Sequence, residues 1–249
     1  MLLNVVLLWL LFAGTHVGLS ITKLRSPLVA KLGEWGFVGV FSLVAISTYA
    51  LLIHYFAIHR FDGPAGPNLA ALPIVGWILY GISSLGTAIL AMALFDYPVS
   101  PYALAGKHDE YEARGVARIS RHGFFAGVCI LSVAHALAAT HLITTVFFGC
   151  AAAFTWIGAA HQDARMAADR GETHGRFLAT TSFLPFAAIV AGRQRLVLSE
   201  IPAAAFVSAV VLVWLMATVH DSIFAAEGAY AIGITVLGAS VASLQAWRG

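Results

Sequence analysis

Charge is scarce in this chain of 249 residues. Asp, Glu, Lys and Arg together make up 10% of it and hydrophobic residues 60%, whereas a soluble globular protein carries about a quarter charged residues. No polar block is long enough to build a soluble domain, so the chain reads as an integral membrane protein. Neither sign of charge dominates: 14 basic residues stand against 12 acidic ones. That balance leaves no electrostatic footprint for a nucleic-acid partner. Cysteine is limited to Cys129 and Cys150, each inside an apolar run, which excludes a disulfide framework and a CxxC metal or redox motif. G-x-S-x-G, a P-loop, HExxH and HxxxH are all missing, as are paired carboxylates within apolar segments. Serine-hydrolase chemistry, phosphate cradling, a one-helix zinc site and a carboxylate proton pump are thereby disfavoured. There is no internal repeat and no low-complexity tract. The N-terminal MLLNVVLLWLLFAG has no basic lead-in and no convincing cleavage site, so it reads as a retained first span.

What is present is a series of apolar runs near the length of about 20 residues that a membrane crossing needs. They cover 2–20, 35–58, 73–95, 120–140, 142–160, 201–220 and 228–247, which predicts an all-α, polytopic transmembrane helix bundle of about seven spans. Lys23, Arg25 and Lys31 follow the first run; Lys107, Arg114, Arg118 and Arg121 precede the fourth. Arg165, Arg170, Arg176, Arg193 and Arg195 follow the fifth, and Arg248 follows the seventh. The alternate loops hold Arg60 as their one Lys or Arg, with the acidic Asp221 and Glu227. The positive-inside rule then puts the N-terminus outside and the C-terminus in the cytoplasm. Residues 1–195 form the expected core and 196–249 an appended C-terminal hairpin. Gly63, Pro64, Gly66 and Pro67 predict a turning loop at 59–72. Residues 96–116 read as a connector whose second half is an interfacial helix. Residues 161–182 read as a polar loop, and Phe183–Val190 as a segment too short to span.

Histidine is over-supplied, at 10 residues, most of them in or at the ends of apolar runs. His16, His122 and His161 fall toward the cytoplasmic side of their spans, and His54, His59, His135, His141 and His220 toward the outer side. The stretch from Arg118 to Ala139, RISRHGFFAGVCILSVAHALAA, organises the rest. Gly123 and Gly127 make a small-xxx-small step that lets two helices approach closely. Ser132 and His135 share a face that Ala139 continues with little bulk, leaving room for a flat ligand. Ionisable groups at such depth are costly and mark function, although a histidine on an apolar face is more often a packing or hydrogen-bonding residue. Neutral imidazole suits iron, copper and zinc, and a haem iron needs only one or two histidines from separate helices. Any metal here is expected between helices rather than on one. His108 and His174 are expected to be solvated in loops. Asp163 is expected to cap its loop, with orientation of His161 as the other reading. Tyr55, Phe56, Trp77, Tyr80, Trp156 and Trp214 read as lipid-facing and interface residues. The arginines of the basic loops, Arg121 among them, face anionic lipid in the simplest reading and carboxylates of a cofactor in the other.

GTHVGLS near the start, HYFAIHRFDG, RISRHGFFAGVCILSVAHALA, HQDARMAADRGE and TTSFLPFAAIVAGRQ, in that order, resemble landmarks of the NnrU family. The HRFDG and SFLPFAAIVAGRQ pieces are most similar to its haem-dependent branch, the 15-cis-zeta-carotene isomerases of plants, algae and cyanobacteria. The resemblance covers residues 10–195. It implies a multi-pass membrane protein and, in the isomerase branch, haem b acting on a central cis double bond of a polyene. The histidine of the family's HSGLA-like motif falls on His16, and that of its CxxH pair on His135. The cysteine of that pair is replaced by Ser132, Gly123 stands where the family has proline, and HQDAR stands for HGDRR.

The expectation that follows is a haem-b membrane enzyme, a cis–trans isomerase of a lipid-soluble polyene such as zeta-carotene. It would lie in a bacterial inner membrane, plasma or intracytoplasmic, and depend on a redox partner. His16 and His135 are the expected axial ligands and catalytic residues, with His122, His161, Ser132 and Arg121 lining the cofactor. A depth-matched alternative pairs His16 with His122 or His161. The rival reading is a non-catalytic NnrU-type protein of nitrogen-oxide and denitrification metabolism that senses haem or NO; a third has the histidines only lock helices together.

Overall fold

The computed structural model describes residues 1–96 and 112–248. Within them the chain forms nine α-helices: α1 (Leu2–Ser20), α2 (Thr22–His59), α3 (Pro73–Asp96), α4 (Val116–Ile119), α5 (Gly123–Ala138), α6 (Leu142–Thr180), α7 (Ala187–Val190), α8 (Ala203–Val219) and α9 (Ala229–Arg248). The described residues form no strand beyond an isolated bridge between Ala65 and His141. By length and composition, α1, α2, α3 and α6 can each cross a membrane. The apolar helices α5 and α8 are shorter, at 16 and 17 residues. The expected interfacial helix before the fourth run lies largely outside the described residues, as do Lys107 and His108.

The helices lie in the order α8, α3, α5, α6, α1, α2, α9, each packed on the next. The last pair therefore does not close on itself: α8 leans on α3 and α9 on α2, at opposite flanks of the bundle. Ends alternate along the chain, so the loops rich in Lys and Arg gather at one end, called here the basic end. At that end Ile89, Met92, Val116, Ile119, Ile201 and Ala205 form one apolar cluster joining α3, α4 and α8. A second cluster nearer the other end is aromatic: Trp9 and Phe12 of α1 meet Phe56 of α2 and Phe147 of α6. Phe56 stacks on Phe147 with centroids 3.8 Å apart and planes 11° apart. Phe56 is thus core and not a lipid-facing residue, whereas Trp77, Trp156 and Trp214 are exposed as expected.

The closest helix pair is α3 and α5, and the small-xxx-small step explains it. A Cβ on Gly127 would lie 2.7 Å from the Gly86 carbonyl oxygen, and one on Gly123 2.9 Å from the Ala93 Cβ. The glycine face of α5 is therefore filled by α3. Ser132 and Ala139 are buried in the bundle as well.

The polar stretch 161–182 is helix, not loop: α6 continues past its apolar half to Thr180, broken only at Gly171, where φ is +53°. The four Ala and three Arg of 161–182 are good helix formers, and the pattern keeps one face inward. Buried positions recur at Ile143, Phe147, Ala151, Thr155, Ala159, Met166, His174 and Phe177, the spacing of a single helical face. His174, expected in solvent, is on that face and fully buried.

Candidate functional site

Polar chemistry gathers at three levels of the bundle. At the basic end the turn 118–122 is laced to the segment that follows α6. Arg121 N–H donates to the Ser182 carbonyl at 2.9 Å, Phe186 N–H to the Ile119 carbonyl at 2.9 Å, and Ser120 Oγ to the Phe183 carbonyl at 2.6 Å. This brings the RISRH and TSFLPF landmarks into one structure. It also sets His122 at the N-cap of α5, against α6. There Asp163, in mid-helix, accepts from Arg121 Nε at 2.9 Å and from His122 Nε2 at 2.8 Å. His174 Nε2 approaches the same carboxylate at 3.7 Å. Asp163 is therefore not a loop cap, and the imidazole it orients is His122 rather than His161. A lone carboxylate at this depth is stable only with such partners. His122 and His174 are 2% and 0% exposed, so the two imidazoles are shut off from water while the Arg121–Asp163 pair is only partly so. Arg121 is committed here and to the Thr181 carbonyl at the end of α6.

Beside the knot, Arg118 grips Glu200 through Nε and Nη2 at 2.7 and 2.8 Å, and Gly115 N–H adds a bond at 2.9 Å. These contacts hold the Glu200 carboxyl down to about 2 from 4.5. An acid whose folded value is depressed lends stability above its unfolded value, and that contribution drains as pH falls through the window between the two. The thermal midpoint of the wild type is expected to fall more steeply than that of Glu200→Gln between pH 4.5 and 2. Parallel curves over that range would show that the ion pair does not set the acid limb.

Mid-bundle, His16 of α1 sits among Phe12, Phe41 and Phe154, with ring centroids 5.4, 4.9 and 5.8 Å away. Its buried Nδ1 has no hydrogen-bond partner, and the same is true of Trp9 Nε1 about two turns away on α1. A buried polar atom left without a partner is costly, which marks His16 as a candidate donor.

At the end opposite the basic one, His135 of α5 packs on Phe148, centroids 4.8 Å apart. Its Nδ1 lies 2.8 Å from the Leu131 carbonyl. A carbonyl only accepts, so the proton is on Nδ1 and the lone pair on Nε2. That nitrogen faces Nε2 of His220, just past α8, at 3.4 Å. His220 arrives there because the segment after α8 crosses this end of the bundle toward α2. Phe224 meets Phe56 with centroids 5.1 Å apart, and His54 pairs with Glu227 at 3.6 Å.

The structure thus brings some of the expected residues together and separates others. His122 and Arg121 meet on Asp163, while His161 lines a cavity of about 330 Å³ with Lys23 and Arg165 by the α1–α2 turn. His16 and His135 stand at different levels of α6, beside Phe154 and Phe148. Six residues of helix rise about 9 Å, whereas two nitrogens on one metal lie at most about 4 Å apart at bonds of about 2.0–2.1 Å. The donor types suit an imidazole-preferring metal such as haem iron. In this arrangement the imidazole opposite His135 is His220. The sequence contains a signal for the Asp163 knot: Ala159, Asp163, Met166, Arg170, His174 and Phe177 repeat at helical spacing. Nothing local in the sequence points to His220, because its position depends on how α8 packs.

Residues 4–227 match the family described as NnrU protein. The chain is similar to the protein named 15-cis-zeta-carotene isomerase, chloroplastic, from Arabidopsis thaliana, at 29% identity over 188 residues, covering 76% of this chain and 50% of that one. It is similar to the protein of the same name from Zea mays at 28% identity over 199 residues, 76% of this chain and 51% of that one. The chain spans about half the length of these curated relatives. No solved structure matches it significantly. The family match runs from α1 through α8 and takes in the lacing turn, the Asp163 knot and both histidine levels. The chain belongs to the NnrU family.

Proposed function

We propose that this chain is an integral membrane isomerase that turns a cis double bond of a lipid-soluble polyene, of the zeta-carotene class, to trans. The observation that carries the reading is the likeness to two curated 15-cis-zeta-carotene isomerases across 76% of the chain. Four helices of spanning length, and exposed aromatic and aliphatic side chains around the bundle, support a lipid setting. In this reading seven helices cross a bacterial inner membrane, with the basic end cytoplasmic and the N-terminus outside. Haem b, expected from the family resemblance, would be held through histidine nitrogens of the inner helices, with His135 as one ligand. When bound, an iron centre supplies reversible one-electron chemistry that loosens a polyene double bond, so the reaction consumes no net oxidant. The protein's own part is to place and dry the site. The Nδ1–H bond to Leu131 fixes the His135 tautomer and aims Nε2 outward. Phe148 shields that ring, and Phe12, Phe41 and Phe154 line an apolar surface around His16 on which a polyene can lie.

The test is conversion of a di-cis carotene by purified, haem-loaded protein. The expected result is trans product at the central bond, abolished by His135→Ala. Stoichiometric haem without product would favour the haem- or NO-sensing reading, and a chain that takes up no haem would remove the cofactor from the proposal.

A further inference from the structure

We propose that His220 is the imidazole that shares a metal centre with His135, in the position that the family resemblance gives to His16. The identity of the metal rests on the haem reading above; the pairing rests on geometry alone.

Three observations carry it. The first is separation: the two Nε2 atoms face one another at 3.4 Å, with ring planes 35° apart. At bonds of about 2.0–2.1 Å, two imidazoles on one metal stand about 3.4 Å apart at a tetrahedral angle and about 4.1 Å apart when opposed. The pair stands nearly head-on, with ring centroids 5.6 Å apart, and opening it by about 0.7 Å reaches the opposed value. The second is preparation: the Leu131 carbonyl holds the His135 proton on Nδ1, the orienting bond that metal-bound histidines usually make. His220 needs only to carry its own proton on Nδ1 for both lone pairs to converge. The third is field and access. His220 caps the C-terminal end of the 17-residue α8, the end whose unpaired carbonyls attract a cation. It is also exposed, so a ligand can arrive without the bundle opening. His16 shares none of this, since its ring lies about two helical turns of α6 away, among phenylalanines.

The experiment uses the full-length chain in detergent as wild type, His16→Ala, His135→Ala, His220→Ala and the gentler His220→Asn, each checked for the wild-type elution volume. Haem is titrated in and oxidised and dithionite-reduced spectra are recorded; cobalt(II) is titrated separately into haem-free protein. The expected result is a low-spin spectrum in the wild type that is lost or turned high-spin in both His220 variants and in His135→Ala. His16→Ala is expected to keep it. A low-spin spectrum retained in His220→Ala overturns the pairing, whatever His16→Ala does. If the wild type takes up no haem, the haem reading fails and cobalt decides the pairing. A tenfold or greater loss of cobalt affinity in both His135→Ala and His220→Ala sustains it, and cobalt binding that is absent or unchanged overturns it.

Discussion

Asp163→Ala is expected to be the most damaging single substitution at the basic end, with a loss of about 3 kcal/mol of stability. The carboxylate takes Arg121 at 2.8 Å and His122 at 2.8 Å, with His174 behind it. Removing it leaves a guanidinium with no counter-charge and two imidazoles crowded around an empty space. Breaking a buried pair from one side costs about 3–5 kcal/mol; Arg121 and Asp163 are 18% and 13% exposed, so some water reaches them and the lower end applies. Asp163→Asn keeps the shape and one acceptor and is expected to lose less. Arg121→Gln added to Asp163→Asn should restore part of the loss, since two neutral amides can bond each other, and a coupling of about 1–3 kcal/mol is typical of residues in one network. Thermal unfolding in detergent measures all three. Equal midpoints for the wild type and Asp163→Ala would show that the knot is ornamental to stability.

Only half of this knot is legible in the sequence. The RISRH turn stood out because a basic edge runs into an apolar helix with a histidine at its mouth, and that helix was found where expected. The residues that meet His122 were harder to see. HQDARMAADRGETHGRF is so polar that it reads as loop when judged by hydropathy alone, and the helix emerges only if position is weighed above polarity. Its inward face carries Asp163 and His174 between Ala159 and Phe177, and Asp163 is tolerated there because Arg121 and His122 satisfy it. Hydropathy scores a residue by its transfer cost, and a paired residue does not bear that cost. The aromatic core is hidden for the opposite reason: Phe56 and Trp77 look alike in sequence, and only the packing of α1, α2 and α6 decides that one is buried and the other bathed. His220 marks the limit of local reading. It lies 85 residues from its partner His135, and the contact exists because α8 packs on α3 while the following segment turns back over the bundle.

Gly127→Val is expected to cost at least about 3 kcal/mol, the upper end of what overpacking usually does. Its Cβ would lie 2.7 Å from the Gly86 carbonyl oxygen and 2.8 Å from the Leu90 amide nitrogen. Both atoms are helix backbone and cannot rotate away, so α3 and α5 must separate along their length. Gly149→Ala is the control: a Cβ there meets nothing within 4 Å, and trading Gly for Ala in a helix gains up to about 1 kcal/mol. The expected result is a lowered thermal midpoint for Gly127→Val and an equal or raised one for Gly149→Ala. The consequence extends beyond stability. Helix α3 is the surface on which both α5 and α8 rest, so it sets the distance between His135 and His220. Pushing α5 off α3 moves one imidazole and leaves the other, and a pair that meets at 3.4 Å tolerates little movement before it cannot hold one metal. A Gly127→Val protein that still folds should therefore lose the His135–His220 metal signature more completely than its stability, whereas a destabilised variant at Glu200, remote from both imidazoles, should keep it. Such a split between stability and spectrum would make the α3–α5 contact part of the site, set 12 Å up the helix axis from His135 by eight residues of rise.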